Sequence, residues 1–357
     1  MNDLNIKNIP NIRILLFWDG FPACGLLIKK VVEKYKDDIV VVATKSKVPY
    51  ENLEKILGHN IIWLDNANDI WNRKDEFGYR NLIIHTGWKY SGWLKYDRYM
   101  KKHCNAKTIV QVDNRYRGDL RQYFGALWFR IYLRKFFDGA LVPGKQGKKL
   151  MKFLGMKENR IYTGLYGAYE GIFKETTPIE KRNNEFLFVG QLIHRKSVDL
   201  LLQAFRSYRN AGGTWNIRIV GSGPLQSICH GDGIILEDFD QPEKITDKMN
   251  RAKVLVLPSR DDNWGTVVCE AAACGMQLIT SKKVGASFDI VQSNINGITL
   301  ENIDAVELQK TFFYFENLSE DLLKNGSKIS KEIAINYTSQ AYLNSFLKII
   351  NDLYKTL

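Results

Sequence analysis

The sequence predicts an α/β protein made of two successive parallel-sheet halves, and three observations carry that prediction. Short, β-branched apolar runs recur along all 357 residues, separated mostly by polar stretches of helical length. Runs of this kind mark strands buried on both faces, as in βαβ units. The rhythm breaks once, between 162 and 182, where YTGLYGAYEGIFKETTPIEKR gathers three glycines, a proline and mixed charges. Finally, the length exceeds the roughly 250–300 residues at which a single core stops growing.

Taken in order, the first half offers runs at 12–18, 39–43, 61–64, 82–85, 108–112 and 139–142. The second half offers 186–189, 215–220, 233–236, 253–257, 277–280 and 297–300, with helical patterns at 198–208 and 267–273 between them. From 339 to 357, Tyr342, Leu343, Phe346, Ile349, Ile350 and Leu353 recur near helical spacing and predict an amphipathic helix. The division expected is a Rossmann-like domain over 1–165, a linker over 166–183, a second Rossmann-like domain over 184–335 and a C-terminal helix over 336–357.

Composition narrows the function classes. With 45% hydrophobic and 25% charged residues and only 8 prolines, the chain is an ordinary globular one. No window reaches the roughly 20 apolar residues of a membrane span. The opening MNDLNIKNIPNIRILLF lacks a signal-peptide core, so a cytoplasmic location is expected. Five cysteines without a CxxC pair predict buried free thiols instead of a disulfide framework or a zinc site. The net charge of +12 is one-sided: residues 1–150 hold 27 Lys and Arg against 15 Asp and Glu, and residues 151–357 hold 24 against 24. Such a field suits phosphate in a nucleic acid, a lipid headgroup or a diphosphate, or else serves solubility alone. No nucleic-acid-binding motif accompanies it, and the basic region lies inside a βαβ series, so a nucleic-acid partner is not expected.

Ligands of open α/β sheets sit beyond the carboxyl ends of the strands, which directs attention to four loops of the second half. Gly190 to Lys196 places a glycine and the cations Arg195 and Lys196 at a helix entrance, suited to a diphosphate or simply to solvent. Gly221-Ser222-Gly223-Pro224 permits a tight turn or a close backbone approach. Phe239, in the loop after the run 233–236, offers a flat face to a base. The fourth loop, Pro258 to Gly275, opens a helix near Gly265, where the N–H groups of Thr266 and Val267 form an anion site. Asp262 and Glu270 stand on either side of it, and carboxylates are natural acceptors for sugar or ribose hydroxyls. Glu270 lies inside the apolar run TVVCEAAAC, where an acid is costly to bury without a partner.

These residues resemble the retaining glycosyltransferases of family 4 (glycosyl transferases group 1), which have the GT-B fold and use nucleotide-sugar donors. The family's donor half carries an acid, an aromatic-Gly pair and a second acid within Glu-Ala-x-Ala-x-Gly, matched here by Asp262, Trp264-Gly265 and Glu270 to Gly275. FVGQLIHRKSVDLLLQAF, IVGSGP, Gly285, Asp289-Ile290-Val291 and Asn296-Gly297 follow the same pattern in order over 185–300. Residues 1–160 match mainly in strand layout. Departures are Asp262 in place of Glu, Gln191 in place of Arg, Cys24-Gly25 in place of Gly-Gly, and Asp113 where many members have His.

The resemblance implies a GT-B architecture of two Rossmann-like domains facing each other across a cleft, with the C-terminal helix returning to the N-terminal domain. The first domain would bind the acceptor and the second the nucleotide sugar. It further implies retaining, metal-independent transfer from a nucleoside-diphosphate sugar, UDP- or GDP-linked, to an acceptor hydroxyl, with no cofactor. Glu270 would bind the ribose and Asp262 the sugar. Arg195, Lys196 and the Thr266 and Val267 amides would hold the diphosphate. Gly25, Gly190, Gly221, Gly223 and Gly265 would bring backbone close to the donor, Phe239 would lie by the base, and Asp113 would orient sugar or acceptor. The stretch 123–137 mixes aromatics and leucines with arginine, which suits either a helix on an anionic membrane surface or one packed on the sheet with its cations solvated. A membrane-facing first half would fit a polyprenyl-diphosphate-linked saccharide in surface polysaccharide synthesis and a peripheral place on the inner face of the cell membrane. The competing expectations are a soluble acceptor, a sugar-nucleotide epimerase or phosphorylase of the same architecture, and a GT-B protein that binds the nucleotide sugar with little or no activity.

Overall fold

In the computed structural model, residues 12–46 and 50–354 are described. The segment before Ile12, which carries the expected leaderless start, and the last three positions of the expected C-terminal helix lie outside them. The chain forms two compact units, one holding the residues up to Leu165 together with those from Ser339 onward, the other Tyr166–Thr338.

The first unit is built on seven strands: β1 (Ile14–Trp18), β2 (Ile39–Thr44), β3 (Ile61–Leu64), β4 (Leu82–Thr86), β5 (Lys107–Gln111), β6 (Gly139–Val142) and β7 (Ile161–Thr163). They pair in parallel in the order β3-β2-β1-β4-β5-β6-β7. β1 is buried at every position, and Leu15 faces Val40 on one side and Ile83 on the other. This two-sided burial explains why its sequence, ILLFW, shows no polar alternation. β7 is the strand that the apolar runs did not announce, since it has only three residues and the last is exposed.

The helix Ser339–Tyr354 returns to this first unit. Its inner face carries Tyr342, Phe346, Ile349 and Ile350, all buried, with Phe346 5.8 Å from the Tyr35 ring. Polar contacts fix its register. Arg160 donates to the Asp352 carbonyl at 2.8 Å, and the Tyr354 hydroxyl donates to the Asn81 carbonyl at 2.6 Å. Burying each large apolar side chain here contributes about 1.5–3 kcal/mol.

The second unit has six parallel strands: β8 (Asn183–Val189), β9 (Asn216–Val220), β10 (Ile234–Glu237), β11 (Ala252–Leu257), β12 (Gln277–Ser281) and β13 (Gly297–Leu300). Their order is β10-β9-β8-β11-β12-β13, so the direction of winding reverses between β8 and β11. The loops leaving these two strands therefore flank the point where open sheets bind ligands. Residues 166–183 pack onto this unit through the buried Ala168, Phe173 and Ile179. Arg182 ties the segment down by donating to the carbonyls of Thr177 and Cys274 at 2.8 and 2.6 Å. The five cysteines carry no disulfide, and four of them are buried.

Candidate active site

The loop after β8 and the loop after β9 are joined by their backbones. Gly190 donates to the Val220 carbonyl at 3.0 Å, and Leu192 donates to the Ser222 carbonyl at 2.9 Å. A Cβ on Gly221, whose φ is +146°, would stand 2.0 Å from the Gly190 carbonyl oxygen, and one on Gly223 2.6 Å from that of Leu192. The close approach that these two glycines permit is thus to the Gly190–Leu192 backbone. Gly221 also donates to the Glu237 carbonyl at 3.0 Å, which links the loop after β10 to the same assembly.

Arg195 and Lys196 lie in the turn His194–Lys196, and the left-handed Ser197 that follows caps the helix Val198–Asn210. The Lys196 ammonium forms an ion pair with the Asp262 carboxylate, and both side chains are largely buried. Asp262 is fixed from its backbone: its N–H donates to the Lys283 carbonyl at 3.0 Å, and its carbonyl accepts from Gly285 at 3.1 Å. A second set of bonds joins the loops after β8 and β11. Arg260 donates from its backbone to the Arg195 carbonyl at 2.9 Å and from its guanidinium to the His194 carbonyl at 2.8 Å. The guanidinium also grips both oxygens of Asp199, at 2.7 and 2.9 Å. Burial pushes the Asp199 carboxyl up, but the bonds from Arg260 hold it below its ordinary value. Arg195 remains exposed, with one guanidinium nitrogen donating to the Asp261 carbonyl at 2.8 Å.

Gly265, at φ +85°, turns the chain into the helix Thr266–Ala273. A Cβ there would meet Val284 at 2.8 Å and approach the Asp262 carboxylate to 3.5 Å, so the acid of the ion pair sits against the start of this helix. The N–H groups of Thr266 and Val267 precede the first bond of that turn, from Val268 to the Gly265 carbonyl, and present the positive end of the helix dipole. The preceding Trp264 is buried, with its indole N–H donating to the Cys269 sulfur at 3.2 Å. Glu270, one turn further on, is half-buried, and its side chain makes no hydrogen bond or salt bridge to a described residue. Burial pushes its carboxyl up to about 7.

Phe239 follows β10 and is 47% exposed, presenting its ring to solvent. The charges around it hold its loop: Glu237 pairs with Arg218 and Lys248, and Lys248 also reaches Asp240 at 3.0 Å. Burial pushes the Glu237 and Asp240 carboxyls up, yet the adjoining lysine, with Arg218 for Glu237, brings both below their usual range.

The second unit thus holds Gly190, Arg195, Lys196, Gly221, Gly223, Phe239, Asp262, Gly265, Thr266, Val267 and Glu270 on its loops and one helix start. Asp113 and Gly25 belong to the first unit. Asp113 lies two residues beyond β5. Gly25 sits in the turn Ala23–Ile28, where a Cβ would run into the Phe21 ring at 2.2 Å, so this glycine makes room for a side chain of its own unit.

One polar group escaped the sequence reading. Asp19, at the end of β1, accepts from the hydroxyls of Thr44 at 2.9 Å and Tyr90 at 2.7 Å and pairs with Lys89 at 2.9 Å. Its N–H donates to the Thr86 hydroxyl at 3.2 Å. Burial pushes the Asp19 carboxyl up, but the bonds from Lys89, Tyr90 and Thr44 hold it below its ordinary value. This group occupies the strand-order reversal of the first sheet, between β1 and β4. The available signal was an Asp-Gly pair directly after an apolar run. Among the described residues no three His, Cys, Asp or Glu side chains converge as a metal-ligand set.

Two parallel sheets of this kind, each flanked by helices, are those of a GT-B protein. Residues 171–331, which span every candidate site residue of the second unit, match the model of the family Glycosyl transferases group 1. An uncharacterized glycosyltransferase of Methanocaldococcus jannaschii is 27% identical over 179 residues, 46% of this chain and 48% of its own length. A Campylobacter jejuni α-1,4-N-acetyl-D-galactosaminyltransferase, named for a diNAcBac-PP-undecaprenol-linked saccharide, is 24% identical over 48% of this chain and 50% of its own. The chain spans about half the length of these curated relatives. The crystal structure of Anabaena HepE in complex with UDP and glucose superposes with a TM-score of 0.73 at 12% identity, over 97% of this chain and all of that one. No helix among the described residues is long and apolar enough to cross a membrane.

Proposed function

We propose that the protein is a retaining glycosyltransferase that moves a sugar from a UDP- or GDP-linked donor to the hydroxyl of a lipid-linked saccharide at the inner face of the cell membrane. The observation that carries this reading is the Lys196–Asp262 ion pair set against the Gly265 helix start, with the unpartnered Glu270 one turn away. A cation, free N–H groups and two acids of different burial are the recognition elements that a diphosphate flanked by a sugar and a ribose requires.

In this reading Lys196, Arg195 and the amides of Thr266 and Val267 hold the diphosphate, Asp262 accepts from sugar hydroxyls, and Glu270 accepts from the ribose. Gly190, Gly221 and Gly223 keep the loops low enough for the donor, and the base lies on Phe239. As the bond from the anomeric carbon to the β-phosphate oxygen breaks, its electron pair stays on that oxygen. The acceptor oxygen then bonds to the same face of the anomeric carbon, and its proton passes to the departing phosphate. Lys196, Arg195 and the helix start stabilise the charge that develops there, a role in which a lost donor costs about 10²–10³ in rate. No metal ion is needed for that neutralisation. Asp113 orients sugar or acceptor, and the Gly25 turn brings its backbone to the donor.

The undecaprenol-linked saccharide in the name of the C. jejuni relative supports a lipid-linked acceptor, and the UDP bound to HepE supports a uridine donor. A thermal-shift panel of UDP-, GDP-, dTDP- and ADP-sugars tests the donor. A ligand at a hundred times its Kd stabilises the native state by about 2.7 kcal/mol. A UDP- or GDP-sugar is expected to raise Tm, and less so in Glu270→Ala. A panel that leaves Tm unmoved overturns the proposal.

A further inference from the structure

The helix Leu120–Trp128, continued by a wider turn at Phe129–Leu133, has two apolar faces. One is accounted for: Ala126, Phe129 and Leu133 are buried in the core of the first unit. The other points outward and carries Leu120, Phe124, Leu127, Trp128, Ile131 and Tyr132, from 49% exposed at Trp128 to 76% at Leu120. Their steps of four, three and one residue make a continuous stripe along the helix. Tyr123 extends it and leans on Phe153, with ring centres 5.0 Å apart. The helix therefore packs on the core of its unit and also keeps an apolar face turned to solvent.

This face is rigidly presented. The Asp119 side chain caps the helix by accepting from the Gln122 N–H at 2.9 Å. The Gln122 amide accepts from Arg117 and Gly118 at 2.8 and 3.1 Å and donates to the Arg115 carbonyl at 2.9 Å. Farther along, Arg130 donates to the Phe153 carbonyl at 2.7 Å. The surrounding charge has one sign: residues 115–135 hold six Lys and Arg and one Asp.

We infer that this stripe is a docking face for an anionic lipid bilayer, with Leu120, Phe124 and Leu127 entering the acyl boundary and the flanking cations resting among the headgroups. The charge pattern selects this occupant. A two-fold pairing of the same face would set like cations against one another. An anionic surface is complementary to every one of them, and each adjacent Lys or Arg favours it by about 1 kcal/mol. Trp128 and Tyr132 have the amphipathic rings that settle at the membrane interface. The inference extends the proposed use of a lipid-linked acceptor, but it is read without donor or acceptor, so vesicle binding and sugar transfer fail separately.

The test is co-sedimentation of the full chain with phosphatidylcholine vesicles, with and without about one third phosphatidylglycerol. The chain is expected in the pellet with the anionic vesicles only. Leu120→Ser/Phe124→Ser/Leu127→Ser removes exposed groups and is expected to lower partitioning at least about tenfold, with Tm unchanged. Arg121→Glu/Lys135→Glu, which leaves the apolar stripe intact, is expected to lower it as well. Three results overturn the inference: a chain that stays in the supernatant with both vesicles, a serine variant that sediments like the parent, or a lipid-free dimer that the serine variant dissociates.

Discussion

The ammonium of Lys196 and the carboxylate of Asp262 form a largely buried ion pair between the two loops that leave β8 and β11. Each charge compensates the other where neither is well hydrated, so the pair fixes the two loops in register and keeps a cation beside the Gly265 helix start. Removing one partner is then a structural as well as a chemical change.

Lys196→Ala is expected to lower turnover by about 10²-fold or more and to destabilise the protein by about 3 kcal/mol, because it leaves Asp262 uncompensated. In the double variant Lys196→Ala/Asp262→Ala, stability is expected to recover in part while turnover does not. Rates of nucleoside diphosphate release, read beside chemical denaturation, separate the two effects, and near-parental turnover in Lys196→Ala excludes the assigned role.

Glu270 makes stability depend on pH. Its carboxyl rises from an ordinary 4.5 to about 7 on folding, because burial disfavours the charged form. The folded state therefore binds the proton more tightly, and this contribution is fully present below pH 4.5 and lost as pH rises through about 7. Glu270→Gln is expected to match the parent near pH 4.5 and to exceed it in stability above pH 7, by at most about 3 kcal/mol given the partial exposure of the group. A difference in Tm that stays constant across this range contradicts the assignment.

Gly221→Ala places a methyl group 2.0 Å from the Gly190 carbonyl oxygen, a separation that the joined loops must open to relieve. A loss of about 2 kcal/mol or more in stability and a weaker donor complex are expected, measured by denaturation and by ligand-induced thermal shift. Equal stability with intact donor binding would mean that the two loops part without consequence.

Phe239→Ala removes an exposed ring and is expected to change stability by less than about 0.5 kcal/mol. Loss of stacking under a base is expected to raise the donor KM about tenfold with kcat nearly unchanged. A fall in kcat at constant KM would place the ring elsewhere in the reaction.

Most of the fold was legible because parallel strands covered on both faces are written as unbroken apolar runs, as in ILLFW of β1 and the apolar stretch ending β11. β7 was not, since three residues with an exposed end carry no periodicity. The site was legible where chemistry departs from its surroundings: an acid within TVVCEAAAC, or two cations after a strand. Lys196 and Asp262 were each marked, but their pairing joins positions 66 residues apart and depends on the reversal of strand order. The outward stripe of Leu120 to Tyr132 shows a different limit. Its composition announced aromatics among arginines, yet which side already had a core to fill is decided by β5, β6 and their neighbours. Asp19 was missed because its partners, Thr44, Lys89 and Tyr90, come from two other strand ends.

The return of the helix Ser339–Tyr354 to the first unit sets an order of assembly. That helix leaves the ribosome only after all of Tyr166–Thr338, so the second unit has its complete sequence while the first still lacks the surface that Tyr342, Phe346 and Tyr354 cover. During synthesis the first unit waits with an apolar face open beside Tyr35 and Gln111. A nascent chain stalled before Ser339 would expose that face to chaperones, whereas the second unit would already be able to fold.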